Sequence, residues 1–294
     1  MASAHPGVTR SAAVASLVPF AAFLVAMVSV QYGATFAERL FPAVGAQGAT
    51  ALRLGLAAIV LVPLLRPWRA RLSLRTLPAL IAYGASLGGM NLLFYMALRT
   101  LPLGIAVALE ITGPLAMAVA FSRRWIDLAW TGLAVAGLLF LLPLGRSGHS
   151  VDPVGVLFAL GAGALWALYA IFGQKAGAQH GPAATALGIA IAALLVAPFG
   201  LAHAGAALFT PAVLLSAVVV AIFSSALPFS LEMVALTRLP TRVYGILTSL
   251  EPALAAIMGF VFLHERLTVV QVVAIAAIMS ASLGTAATMK PIVV

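Results

Sequence analysis

The segment Leu101–Pro102–Leu103–Gly104–Ile105–Ala106–Val107–Ala108–Leu109–Glu110–Ile111–Thr112–Gly113–Pro114 holds one charged residue in an otherwise lipid-compatible run. A second glutamate, Glu251, lies in the equally apolar stretch Leu247–Thr248–Ser249–Leu250–Glu251–Pro252–Ala253–Leu254, again close before a proline. A carboxylate deep in a bilayer costs roughly 3 kcal/mol or more, so such groups usually mark a substrate, ion or proton pathway. The reading of the whole chain follows from asking what surrounds these two acids.

Of 294 residues, 63% are hydrophobic and only 8% charged, with a mean hydropathy of +1.14. Soluble domains carry about 25% charged residues. The composition predicts an all-α, polytopic membrane protein with no separate soluble domain. Cysteine is absent, which excludes disulfides and thiolate metal sites. The net charge of +9 does not describe a nucleic-acid face, because the basic residues fall in short breaks between apolar runs. The apolar run from about residue 12 to 34 is long for a cleaved signal and reads as a first spanning helix.

Breaks at charges, proline and glycine divide the chain into ten candidate spans: 16–35, 46–65, 77–98, 103–122, 126–143, 153–173, 182–203, 211–234, 242–263 and 267–288. Continuous rather than alternating apolar runs exclude a β-barrel. With both termini cytoplasmic, the inner segments hold eleven basic residues: Arg10, Arg66, Arg69, Arg71, Arg75, Arg123, Arg124, Lys175, Arg238, Arg242 and Lys290. The outer loops hold four: Arg39, Arg99, Arg146 and Arg266. Positive residues concentrate on the cytoplasmic side, so this orientation is expected.

The chain also repeats itself. Ala97–Leu98–Arg99–Thr100–Leu101–Pro102 corresponds to Ala235–Leu236–Thr237–Arg238–Leu239–Pro240 at an offset of 138, which brings Pro114 onto Pro252. Ala49–Thr50–Ala51–Leu52 matches Ala184–Thr185–Ala186–Leu187 at an offset of 135, and there Pro63 meets Pro198. Five helices followed by five more implies two inverted repeats, 16–143 and 153–288, an organisation typical of secondary transporters with a midplane site.

These blocks carry a resemblance. Ser86–Leu87–Gly88–Gly89–Met90–Asn91, the Pro102-to-Glu110 run, Thr112–Gly113–Pro114, Ser230–Leu231–Glu232–Met233 and Glu251–Pro252–Ala253–Leu254–Ala255–Ala256 resemble the two-EamA-repeat branch of the drug/metabolite transporter superfamily. Within it the chain looks like the bacterial threonine/homoserine exporters. The resemblance covers about 25 to 284 and implies ten helices, a central cavity, and export of small amino acids across the bacterial inner membrane.

Arg53 and Glu110 each lie about seven residues from the outer end of their spans, roughly 10 Å deep. A buried ion pair between them is expected, either as part of a substrate or proton site or as a structural brace. In the repeat alignment Glu251 falls on Gly113 and Glu110 on Thr248, and positions 248 and 251 share a helix face. Both carboxylates are therefore expected to point into one cavity, as partners for a proton or a substrate ammonium. Arg53, or N–H groups freed at helix breaks near Pro114 and Pro252, suits a substrate carboxylate. Tyr32, Asn91, Tyr95, Trp166, Tyr169 and Ser225 are polar or aromatic groups inside spans and are expected to line that cavity. Glu232, near the inner end of span eight beside Arg238 and Arg242, reads as a snorkelling surface acid. Glu38, Asp127, Asp152 and Glu265 read as solvated ends and caps.

Gly84–Ala85–Ser86–Leu87–Gly88 fits the nucleophile-elbow pattern, but it lies in an apolar helix without a histidine partner, so close helix packing is the expected role. The five histidines show no metal-ligand spacing, and no Walker A sequence is present. The expectation is a proton-coupled exporter and not an enzyme. It needs no cofactor or metal, works in a lipid bilayer on a small amino acid and protons, and acts as monomer or homodimer. A broad exporter of cationic drugs or other metabolites stays open, as does a non-transporting sensor or scaffold. An intramembrane hydrolase using Ser86 is the remaining alternative.

Overall fold

The computed structural model describes residues 6–70, 72–120, 125–141, 152–239, 244 and 247–288. Twelve α-helices follow one another among them: α1 (Pro6–Glu38), α2 (Phe41–Leu65), α3 (Leu77–Ala97), α4 (Leu103–Glu110), α5 (Thr112–Ala120), α6 (Trp125–Leu141), α7 (Pro153–His180), α8 (Pro182–Ala204), α9 (Pro211–Ala221), α10 (Leu227–Arg238), α11 (Glu251–Leu263) and α12 (Val269–Thr288). A π-turn, Ile222–Ala226, joins α9 to α10. Six spans are long and apolar enough to cross a membrane, and four shorter apolar helices accompany them. The chain is a multi-pass membrane protein. Backbone groups in hydrocarbon need internal partners, which is why helices carry the whole described fold.

The structure departs from the expected spans in three places. The stretch 103–122 is not one helix, because α4 ends at Glu110 and α5 begins at Thr112. Pro114 has no N–H to give the Glu110 carbonyl, so the helical ladder fails there. The stretch 211–234 contains the π-turn. In the stretch 242–263 the described helix α11 starts at Glu251, after a turn at Ser249 and Leu250. The charge argument for orientation leans on Arg71, Arg123, Arg124, Arg146, Arg242 and Lys290, which lie outside the described residues, as does Pro240 of the repeat motif.

Helix packing joins the two ends of the chain. α2 lies along α8, α3 along α7 and α8, α1 along α10, α4 along α11, and α6 along α12. Small residues permit the closest approaches. Gly113 and Gly163 bring the α4–α5 break against α7 so tightly that a Cβ on either would overlap backbone of that crossing. Gly84 and Gly88 of the elbow-like motif lie on the α3–α8 seam, against Ile191, Gly188 and the Ala192 backbone. Ser86 is thus part of a packed helix, without the strand-to-helix turn that a nucleophile requires.

Glu265 and Asp152 are indeed caps. Asp152 accepts from Val154 N and Gly155 N at 3.2 Å each and starts α7. Thr100, then these backbone donors, hold its carboxyl below the usual carboxylate range. This cap is therefore complete at neutral pH and is lost only as pH falls through that lowered value. Glu265, between α11 and α12, reaches across to α4, where both its oxygens accept from Leu103 N at 2.9 and 3.1 Å. A Cβ on Gly259 would overlap that carboxylate. Glu38 differs from a solvated end, since one of its oxygens is buried without a hydrogen-bond partner among the described residues. Removing a cap costs about 1 kcal/mol. Glu265→Ala and Gly259→Ala are therefore each expected to lower the thermal unfolding midpoint in detergent, and Glu265→Gln less so because the amide oxygen still accepts.

Candidate functional site

A hollow of about 70 Å³ lies between α1, α2, α3, α4, α7, α10 and α11. It has room for about five waters. Its polar lining is Gln31, Arg53, Asn91, Tyr95, Glu110, Trp166, Glu232 and Glu251, and its apolar lining includes Phe23, Met27, Met90, Phe94, Val107 and Phe229.

Arg53 is 2% exposed. Its Nη1 donates to the Ser224 carbonyl at 2.8 Å and to the Ser224 and Ser225 hydroxyls at 3.1 Å each. Its Nη2 donates to Asn91 Oδ1, and its guanidinium lies 4.4 Å from the Tyr95 ring centroid. Asn91 is fixed in turn by donating Nδ2 to the Leu87 carbonyl at 2.7 Å. The π-turn frees carbonyls for this purpose: Ser224 O goes to Arg53, and Phe223 O accepts from Ser29 of α1 at 2.5 Å. Arg53 Nε is buried and has no hydrogen-bond partner among the described residues.

The expected Arg53–Glu110 ion pair is not formed. Among the described residues, Arg53 gives its terminal nitrogens to serine and asparagine oxygens, which approach from α3 and the π-turn. Glu110 remains within electrostatic reach of the guanidinium. Glu110 ends α4, and its carbonyl, released by Pro114, lies against Gly163. Glu251 is the first residue of α11 with Pro252 next to it, so its carboxylate sits at the positive end of that helix. Both glutamates line the hollow, as does Glu232.

The remaining sequence expectations divide. Asn91, Tyr95 and Trp166 line the hollow. Ser225 stands behind its wall as an Arg53 partner. Tyr169 is fully buried behind the same wall, its ring 5.3 Å from that of Tyr83. Tyr32 does not line the hollow. It packs with Phe36, Phe223 and Phe262 and borders an apolar surface groove with Leu24, Val25 and Val28. Glu232, read from sequence as a surface acid, instead faces the hollow and accepts from Tyr244 Oη at 2.6 Å, while Arg238 is exposed. The sequence reading relied on Arg238 and Arg242 as surface partners, but Arg238 turns to the exterior and Arg242 lies outside the described residues. Among the described residues no group of histidine, cysteine or acidic side chains is arranged to hold a metal.

The EamA-like transporter family profile matches residues 153–287. The threonine/homoserine exporter RhtA of Escherichia coli strain K12 is 54% identical over 272 residues, covering 92% of each chain. The same-named exporter of Salmonella typhimurium strain SL1344 is 53% identical over 285 residues, covering 97% of this chain and 96% of that one. The chain belongs to the EamA-like transporter family. It is a transporter, and its relatives are transporters rather than enzymes. A solved crystal structure shares the fold, with a TM-score of 0.63 at 21% identity over 94% of this chain and 96% of that one.

In this transporter the guanidinium network is open to direct test. A lysine at position 53 puts one nitrogen where arginine places two, and so loses the fork that reaches Ser224 O with Nη1 and Asn91 Oδ1 with Nη2. Arg53→Lys leaves a buried acceptor unsatisfied, at a cost of about 2 kcal/mol. Thermal unfolding in detergent is expected to show a midpoint several degrees lower than the parent.

Proposed function

We propose that this transporter exports threonine, homoserine and similar small amino acids across the inner membrane of a bacterium in exchange for protons. The observation that carries the reading is the chamber itself, with Glu110 and Glu251 from different parts of the chain facing one hollow together with Arg53. A zwitterion stripped of water needs an acceptor for its ammonium and donors for its carboxylate. The chamber's carboxylates offer the first, and the Arg53 guanidinium on the same hollow offers the second. The names of the relatives at 53–54% identity support the same substrate class.

Glu110 and Glu251 are the proton-exchanging groups, protonated while the chamber faces outward and releasing protons inside as substrate loads. Ten spans in two inverted halves, 16–143 and 153–288, with both termini cytoplasmic, supply the alternating access. The packing pattern supports the two halves. Exchanging them leaves the α2–α8, α4–α11 and α6–α12 pairs unchanged and converts the α3–α7 pair into the α10–α1 pair. Breaks beside Pro114 and Pro252 let α4–α5 and α11 pivot around the site.

Counterflow of radiolabelled threonine in proteoliposomes with an imposed pH gradient tests the reading. Glu110→Gln and Glu251→Gln are each expected to abolish the stimulation by the gradient. Full stimulation retained in both removes the proton role. The excess of acids over the single guanidinium in the chamber also suits a cationic metabolite or drug. Lipophilic cations competing where threonine and homoserine do not would establish that second reading.

A further inference from the structure

We propose that Glu232, positioned by Tyr244, is the residue that receives the substrate ammonium group, so that the chamber selects molecules bearing a cationic amine. The inference rests on the amino-acid reading above and gives a role to a carboxylate which that reading leaves idle. Glu232 lines the hollow, and among the described residues no lysine, arginine or histidine pairs with it. A carboxylate placed in a low-dielectric site without a cation is costly until a ligand supplies one.

The surroundings are those of an ammonium site. Phe23, Trp166 and Phe229 line the hollow with Glu232. The Tyr244 ring stands 4.6 Å from that of Phe23, and its hydroxyl donates to Glu232 Oε1 at 2.6 Å. Aromatic faces around an anion attract an alkylammonium through both the charge and the ring quadrupoles. The site is also directional. Arg53 is anchored at Ser224, eight residues before Glu232 on the same span, about 12 Å along the helix axis. A zwitterion lying between them has one favoured orientation, with its carboxylate toward Arg53 and its ammonium toward Glu232. Tyr244 is a positioning residue, since it acts through the carboxylate it holds.

Calorimetric titration of the purified full-length protein with three probes tests this directly. The probes are L-threonine, threoninol (amine without carboxylate) and 2,3-dihydroxybutanoate (carboxylate without amine). Glu232→Gln is expected to weaken threonine and threoninol about tenfold or more, while binding of the amine-free acid is unchanged or tighter. Tyr244→Phe is expected to weaken the two amines by about tenfold at most, the loss of one hydrogen bond, and to spare the acid. Wild-type protein that does not bind threoninol overturns the proposal. So does unchanged amine affinity in Glu232→Gln, or an equal loss for all three probes. If Glu232→Gln does not fold, unchanged amine affinity in Tyr244→Phe overturns it. Absence of threonine counterflow with amine discrimination intact would contradict the export reading alone.

Discussion

A guanidinium buried within a helix bundle needs oxygen acceptors around it, and Arg53 organises the centre of this protein through that requirement. Its two terminal nitrogens draw in Asn91 of α3 and the Ser224 and Ser225 groups of the π-turn, while Tyr95 covers one face. Three separate spans are thereby fixed around one charge. The hollow forms where this cluster meets α1, α4, α7, α10 and α11. Leaving Arg53 without an ion pair has a chemical consequence: the nearby carboxylates stay available to ligands instead of being neutralised by the protein.

The same constraint governs the backbone. Irregular segments in a membrane are tolerated where protein or a water-filled cavity meets their free carbonyls and N–H groups. Here the interruption after Glu110, the π-turn at Ile222–Ala226 and the turn before Glu251 all adjoin the chamber or its wall. Phe223 O and Ser224 O are satisfied by Ser29 and Arg53, and Glu110 O lies against Gly163. The breaks after Glu110 and before Glu251 each bring a carboxylate to the chamber, and the π-turn brings the acceptors that hold Arg53.

Much of this was legible in the sequence because lipid makes charge conspicuous. Glu110, Glu251 and Arg53 stand alone in apolar runs, and Asn91 and Trp166 interrupt two further ones; all five line one hollow. Helix faces were less legible. The spans are apolar nearly all round, so nothing in the sequence of α1 separates Tyr32, on the outer aromatic cluster, from Gln31, on the hollow. Glu232 was hidden by its place near the inner end of its span and by its neighbour Arg238, which offers a surface partner in sequence but is exposed away from the hollow. The Arg53–Glu110 pair was inferred from matching depths, a measure that ignores the closer serine and asparagine oxygens.

The central claim is that the space enclosed by these acids is wet and holds the substrate. The chain contains no cysteine, so a single one introduced by substitution reports its own position. Ala26 lines the hollow, whereas its neighbour Val25 is 51% exposed on the outer surface of the bundle. Reaction of each single-cysteine variant with a small membrane-impermeant thiol reagent in proteoliposomes, with and without threonine, is the direct measurement. The account predicts that Ala26→Cys is modified and that threonine slows the reaction, while Val25→Cys stays inert in the hydrocarbon. An unreactive Ala26→Cys, or one modified at the same rate with threonine present, would contradict it.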